Sequence, residues 1–142
     1  MDRTAALPEE RSAVLRALAL GTGEDDLQTR TARALEKARS GDLARAEFLF
    51  QENAEAHPAD SAARMNYGLF SLERNRYSEA IEQFQRAINL SPGFLPAYEA
   101  MAETYLRLHD AANAVIWSRR ILQLDPHHEV ASQTLAALEA KR

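Results

Sequence analysis

Apolar residues recur along most of this chain at the three- and four-residue spacing of amphipathic helices, and the pattern stops at regular intervals. Residues 61–94 show it best, because two short helical patterns and a stop occupy this stretch of thirty-four residues. Pro58, Pro92 and Pro126 follow one another at the same interval. Proline lacks an N–H and blocks helix continuation. The pattern therefore predicts three consecutive helix–turn–helix units and no strands.

Alignment on these prolines brings similar residues into shared columns: a small residue in the first helix, a turn residue, an alanine in the second helix, and an aromatic four residues later. The small column holds Ala34, Gly68, Ala102 and Ala136; the turn column Gly41, Asn75 and His109; the alanine column Ala46, Ala80 and Ala114; the aromatic column Phe50, Phe84 and Ser118. A small residue lets the second helix approach closely, and the aromatic fills the space on the same helical face as the alanine. The turn column predicts a left-handed backbone, which glycine adopts without cost and Asn and His tolerate.

These columns resemble the tetratricopeptide repeat (TPR) family, whose repeats carry a Leu-Gly-type pair and an aromatic in the first helix, then Ala, an aromatic, Ala and Pro. The matching residues are Tyr67, Gly68, Tyr77, Ala80, Phe84, Ala87 and Pro92 in 61–94, and Tyr98, Met101, Ala102, Tyr105, Ala114, Leu124 and Pro126 in 95–128. Segment 27–60 matches in its second helix, whereas Arg30, Arg33 and Lys37 occupy apolar columns of its first. The resemblance implies an all-α, right-handed α-α superhelix with repeats 27–60, 61–94 and 95–128.

Each flanking segment is predicted to add one helix. In 1–26 we expect a disordered start at residues 1–6, a helix over 8–20 that begins at a proline, and an acidic start of the next helix at 24–26. The helix over 8–20 either caps the first repeat, dimerises the protein or folds back into its own groove. Segment 129–142 is predicted to be a C-terminal capping helix, because solenoid ends need a polar outer face.

Composition excludes several classes of protein. The net charge of −4 provides no basic excess for nucleic acid, and the absence of cysteine excludes disulfides and thiolate chemistry. No apolar run is long enough for a membrane span, and Arg11 and Arg16 interrupt the stretch that a signal peptide would keep apolar. We therefore expect a cytoplasmic protein. The strong preference for arginine over lysine favours a GC-rich, bacterial source.

No catalytic or metal-binding constellation is found. A Gly-rich phosphate loop, a Ser-centred elbow and a paired-carboxylate cleft are all missing from the sequence, so we predict neither enzyme activity nor a cofactor. His127, His128 and Glu129 form the only ligand-type cluster. Neighbouring residues on a turn rarely converge on one ion, so we predict no metal site.

The resemblance implies that the first helices of the repeats line an inner wall. The inward columns are Ala62, Met65, Asn66, Leu69, Leu72 and Glu73 in the second repeat, Pro96, Glu99, Ala100, Glu103, Leu106 and Arg107 in the third, and Val130, Gln133, Thr134 and Ala137 in the last helix. Met65, Leu69 and Leu72 make an apolar stripe on one helix face. We expect the contact residues of a binding groove to be Met65, Asn66, Leu69, Leu72, Glu99, Glu103 and Leu106.

This groove predicts a non-catalytic interaction module (an adaptor, scaffold or chaperone-like protein) that binds a peptide or helix of another protein. The size and layout also resemble TPR chaperones of bacterial secretion systems. The alternative is a self-assembling protein that dimerises by covering the stripe with its N-terminal helix.

Two details refine the binding hypothesis. Family members that hold the acidic C-terminus of heat-shock chaperones clamp its carboxylate with cations and asparagines. The corresponding positions here are Thr31, Leu35, Asn66, Pro96 and Ala100, and among them Asn66 alone matches. Without cations a buried carboxylate would stay unpaired, so binding of such tails is not expected.

Trp117 stands beside Ser118, and it either fills the space of the missing aromatic or is an exposed anchor.

Overall fold

The structure is a computed structural model and describes residues 27–141 of the 142-residue chain. Within this range it has seven α-helices and no strand. They are α1 (Leu27–Arg39), α2 (Leu43–Ala56), α3 (Ser61–Glu73), α4 (Tyr77–Leu90), α5 (Leu95–Arg107), α6 (Ala111–Leu124) and α7 (Glu129–Ala140). The predicted all-α architecture is confirmed. The disordered start, the helix over 8–20 and the acidic helix start at 24–26 lie outside the described residues.

The helices belong to two compact units that meet in the sequence at Pro58. In the described part of the first unit, residues 27–57, α1 packs against α2. In the second unit, residues 58–141, each helix packs against the next one in the chain, and α3 also contacts α5. Contacts between sequence neighbours are typical of stacked helical repeats. No helix among the described residues is long and apolar enough to cross a membrane.

The turns between paired helices have the left-handed backbone that the turn column predicts. The φ angle is 88° at Gly41, 60° at Asn75 and 57° at His109. The N-cap residues before the second helices of the three repeats differ. Asp42 and Asp110 accept hydrogen bonds from backbone N–H groups of α2 and α6, whereas the Arg76 side chain makes no such bond to α4. Asp42 and Asp110 therefore cap α2 and α6.

The alanine and aromatic columns form the core where they are complete. Ala46, Ala80 and Ala114 are fully buried, and so are the rings of Phe50 and Phe84. The small column is buried in all three repeats, but its fourth member, Ala136, is exposed on α7. No helix of the described residues follows α7 to cover that face. Ala136 is therefore not packed against a paired helix as the other three members of the column are.

Trp117 is buried, so the alternative of an exposed anchor is wrong. Its side chain is 5% exposed, and its ring lies 5.8 Å from the Tyr98 ring, centroid to centroid. The Arg120 guanidinium covers the indole at 4.4 Å from the ring centroid. The indole therefore packs against Tyr98 of α5, within the core cluster that also contains Ala102. That it takes the place of the missing aromatic beside Ser118 stays a prediction.

Candidate functional site

A hollow of about 440 Å³ opens in the second unit between α3, α5, α6 and α7. Each of these helices contributes at least two lining residues, and the turn before α7 contributes His128. The lining consists of Met65, Leu69, Pro96, Glu99, Ala100, Ala102, Glu103, Leu106, Ser118, Ile121, His128, Val130, Ala131 and Thr134. Nine of these side chains are hydrocarbon or thioether, so the hollow is mainly apolar.

The floor of the hollow is made of buried, mostly small side chains. Ala100 and Ala102 come from α5, Ser118 and Ile121 from α6, and Ala131 from α7. All five are buried. Small residues on α5 and α7 let these helices and α6 approach closely, and Ser118 is 1% exposed at the base of the hollow. Buried side chains beneath a volume of about 440 Å³ make this a hollow and not a flat apolar patch.

The rim is more exposed and is apolar on two sides. Met65 and Leu69 on α3 are partly buried and pack against the core at their inner ends. Leu106 on α5 is exposed, and Val130 on α7 is 66% exposed. Exposed apolar side chains beside an apolar hollow are typical of a surface that another molecule covers.

The charged part of the rim has an excess of carboxylates. Glu99 and Glu103 line the hollow on α5, and Glu73 lies beside them at the end of α3. The Arg107 Nη2 lies 3.4 Å from a Glu73 oxygen and 3.7 Å from a Glu103 oxygen. Two of the three carboxylates share this guanidinium and Glu99 contacts His128 instead, so acidic groups outnumber the arginine at this rim and favour positive charge nearby.

His128 ties α7 to the acidic rim. Its Nδ1 accepts a hydrogen bond from the Ala131 N–H at 3.1 Å, which caps α7. The neutral ring therefore carries its proton on Nε2, where it can be donated to the Glu99 carboxylate 3.1 Å away. The contact fixes the Glu99 side chain at the edge of the hollow. Among the described residues no group of three His, Asp or Glu side chains is arranged to hold a metal ion.

The structure brings together five of the seven residues predicted for the groove. Met65, Leu69, Glu99, Glu103 and Leu106 all line the hollow. The inward columns Pro96, Ala100, Val130 and Thr134 line it as well.

The remaining two predicted contact residues do not line the hollow. Leu72 is 0% exposed and belongs to the core cluster that includes Ala80 and Met101. Its place in the apolar stripe is correct, but neighbouring helices cover it, so a partner cannot reach it. Asn66 is half-buried and is not among the lining residues.

Five lining residues were not expected from the inward columns: Ala102 from α5, Ser118 and Ile121 from α6, and His128 and Ala131 at the start of α7. The sequence contained one signal for them, because Ser118 interrupts the aromatic column. A serine in place of the aromatic marks this position of α6 as different from the equivalent positions of the first two repeats.

The fold and the hollow define a helical-repeat protein with a concave apolar site. A family profile described as tetratricopeptide repeat matches residues 37–101. This part of the chain is therefore similar to tetratricopeptide repeats.

A curated mammalian protein is similar to a large part of this chain. Mouse sperm-associated antigen 1 is 30% identical over 100 residues, which cover 70% of this chain and 11% of that protein. The chain thus spans about a tenth of the length of this relative.

Two solved structures share the fold. The first TPR of Spaghetti (RPAP3), bound to the HSP90 peptide SRMEEVD, has a TM-score of 0.70 at 15% identity and covers 84% of this chain and 95% of that one. The Yersinia enterocolitica type III secretion chaperone SycD, in complex with a peptide of the translocator YopD, has a TM-score of 0.71 at 19% identity, covering 81% and 93%. At these identities the likeness concerns the fold.

Proposed function

We propose that this chain is a non-catalytic interaction module that holds a peptide or helix of another protein in the hollow. The observation that carries the proposal is the convergence of apolar side chains from four helices on one hollow with a buried floor and an exposed apolar rim. A solvated groove would be expected to carry polar side chains instead. Both structural neighbours named above hold peptides of other proteins, which supports the same mode of action.

The charge of the rim narrows the choice of partner. Glu99 and Glu103 would repel an acidic segment, and Arg107 is already paired with Glu73 and Glu103. The HSP90 peptide bound to Spaghetti contains two glutamates and an aspartate. We therefore propose that this chain, in contrast, holds an apolar segment without acidic residues. This agrees with the absence of a carboxylate clamp from its sequence.

The cellular setting is also a proposal. We infer a cytoplasmic adaptor, scaffold or chaperone-like protein of bacterial origin from the composition. The curated relative named above is mammalian, so the bacterial source depends on the arginine preference alone.

The test is capture of partners from a lysate of the source organism, followed by mass spectrometry and by binding measurements with the purified partner. Leu106→Glu and Val130→Glu place a charge on the exposed rim without disturbing the core. Ile116→Glu is the matched control, since Ile116 is 45% exposed on α6 and does not line the hollow. Circular dichroism checks that all variants are folded.

We expect a protein that wild type and Ile116→Glu capture and that both rim variants lose. Equal capture by all four proteins would contradict the proposal. The competing model, a dimer that covers its own groove, predicts instead that deletion of residues 1–23 or Leu69→Glu halves the mass measured by light scattering.

A further inference from the structure

Two carboxylates lie at the edge of the hollow, beside its apolar rim. Glu99 and Glu103 are four residues apart on α5, so both side chains project from one face of that helix. Leu106 lines the hollow from the same helix, and Val130 lines it from α7. An occupant that places apolar side chains in the hollow therefore brings its neighbouring groups next to these carboxylates.

The two carboxylates differ in the charge that neutralises them. Glu103 lies 3.7 Å from the Arg107 guanidinium, which also contacts Glu73. Glu99 contacts the His128 ring at 3.1 Å, and no lysine or arginine among the described residues forms an ion pair with it. The His128 Nδ1 accepts a backbone N–H at the start of α7, so this ring is neutral. Glu99 therefore keeps its full negative charge.

Glu99 is also held in place while it remains accessible. Its side chain is 45% exposed, whereas the His128 side chain that contacts its Oε2 is 14% exposed. Within the described part of the chain, the other carboxylate oxygen makes no hydrogen bond. Lost side-chain freedom is the usual cost of a surface ion pair. A carboxylate that is already ordered loses less of this freedom when it pairs with a cation.

We propose that Glu99 selects partner segments in which a lysine or arginine lies beside the apolar side chains, and that it pairs with this cation at the edge of the hollow. The inference rests on the proposed function, which excludes acidic segments, and adds that a cation contributes to binding. Charge complementarity is the argument for it. The hollow takes up the apolar groups of the partner, and the cation neutralises Glu99.

The probes are octylammonium and octanoate, which share one apolar chain and carry opposite charges. Each is titrated into the full-length ¹⁵N-labelled protein at concentrations too low for micelles. We expect both to shift the amide signals of Ala100, Leu106 and Ala131, and we expect octylammonium to bind roughly five-fold more tightly at low salt. The difference should shrink as the salt concentration is raised, because the carboxylates lie at an exposed edge.

Glu99→Gln removes the charge and keeps the size of the side chain and a hydrogen-bond acceptor for His128. It should weaken octylammonium binding roughly three-fold or more. Glu82→Gln is the matched control, since Glu82 is 58% exposed on α4 and does not line the hollow. This variant loses the same charge and should bind octylammonium like wild type. An equal loss in both variants would show a response to the net charge of the protein and would overturn the role of Glu99.

Glu103→Gln separates the two carboxylates of the rim. Glu103 already shares Arg107 with Glu73, so its removal should weaken octylammonium binding less than the removal of Glu99 does. An equal or larger loss would contradict the assignment to Glu99.

The position of the bound probe is a further check. A second depression, of about 560 Å³, is lined by residues that include Ile81 and Ile116. Amide shifts confined to these residues would mean that the probe does not enter the hollow, and they would overturn the proposal.

Selection of a cation differs from exclusion of acidic groups, and Glu99→Gln distinguishes the two. Selection predicts that this variant binds octylammonium more weakly. If it binds octylammonium like wild type and binds only octanoate more tightly, the rim merely repels acidic groups. The interaction module then stands, and the inference about Glu99 is wrong.

The same variants are tested with the purified partner from the capture experiment described above. We expect Glu99→Gln to bind it roughly three-fold more weakly or worse, and Glu82→Gln to bind it like wild type. If Leu106→Glu loses the partner and Glu99→Gln binds it with wild-type affinity, only the inference about Glu99 fails. If neither probe shifts the signals of the hollow, or if light scattering shows that a second copy occupies it, both proposals fall.

Discussion

A Cβ atom built on Gly68 would lie 2.5 Å from Cε1 and 2.7 Å from Cδ1 of the Phe84 ring. Real Cβ atoms do not approach carbon atoms this closely, so the ring of α4 occupies the place of a side chain on α3. Phe84 is 0% exposed and is enclosed by the core cluster, so its ring cannot move aside. This one relationship explains why the small column and the aromatic column belong together.

Gly68→Ala should therefore destabilise the protein. Alanine is a better helix former than glycine by about 1 kcal/mol, but overpacking a closed core costs about 1–3 kcal/mol. We expect a net loss in the free energy of unfolding, measured with urea and followed by circular dichroism. Gly93→Ala is the control, since a Cβ at Gly93 would meet no atom within 4 Å. In a Phe84→Leu background the Gly68→Ala loss should shrink, and an unchanged loss there would mean that the ring is not its cause.

Gly41 is needed for a different reason. Its φ is 88°, and a Cβ there would find open space, so the backbone angle alone favours glycine. Gly41→Ala should cost roughly 1–2 kcal/mol of stability, the penalty for a left-handed residue with a side chain. Gly41→Asn should cost less, because Asn75 adopts φ 60° at the equivalent turn. Equal losses for both variants in urea denaturation would argue against a backbone origin.

Trp117 should be a stability residue. Its burial against Tyr98 predicts that Trp117→Ala costs about 3–5 kcal/mol. The neighbouring Ile116→Ala should cost about 1 kcal/mol, since that side chain is 45% exposed. Both values come from urea denaturation followed by circular dichroism, because the variant removes the fluorophore. A small loss for Trp117→Ala would contradict the packing described above.

The sequence predicted the helices and turns well because both are determined by local periodicity. The thirty-four-residue spacing locates each helix pair, and the turn column predicted three left-handed residues correctly. It also predicted most of the groove wall, because columns of the repeat map directly onto faces of the first helices.

Two aspects of the site could not be read from periodicity. Leu72 lies on the same stripe as Leu69, but spacing gives the direction of a side chain and not what covers it. The floor could not be predicted either, because Ser118 and Ile121 come from a helix that ordinarily does not reach the groove.

The last prediction concerns acid stability at the start of α6. Asp110 accepts hydrogen bonds from the Asn113 side chain at 2.7 Å and from the Asn113 backbone N–H at 3.1 Å. Both bonds favour the charged carboxylate, and the side-chain bond has the larger effect. Together they hold the pKa of Asp110 below its ordinary value. The unfolded chain has the ordinary pKa. The stabilisation is therefore fully present above that value and is lost as the pH falls through the lower pKa of the folded state.

Asp110→Ala should accordingly destabilise the protein most near neutral pH, and the difference from wild type should shrink as the solution is acidified below the ordinary aspartate pKa. Urea unfolding at a series of pH values measures this difference. Asn113→Ala is the matched control: it removes the largest contribution to the shift and keeps the cap, so an NMR titration should find the pKa of Asp110 raised toward its ordinary value. A difference between wild type and Asp110→Ala that stays constant down to the acid limit would mean that the Asp110 charge does not stabilise α6.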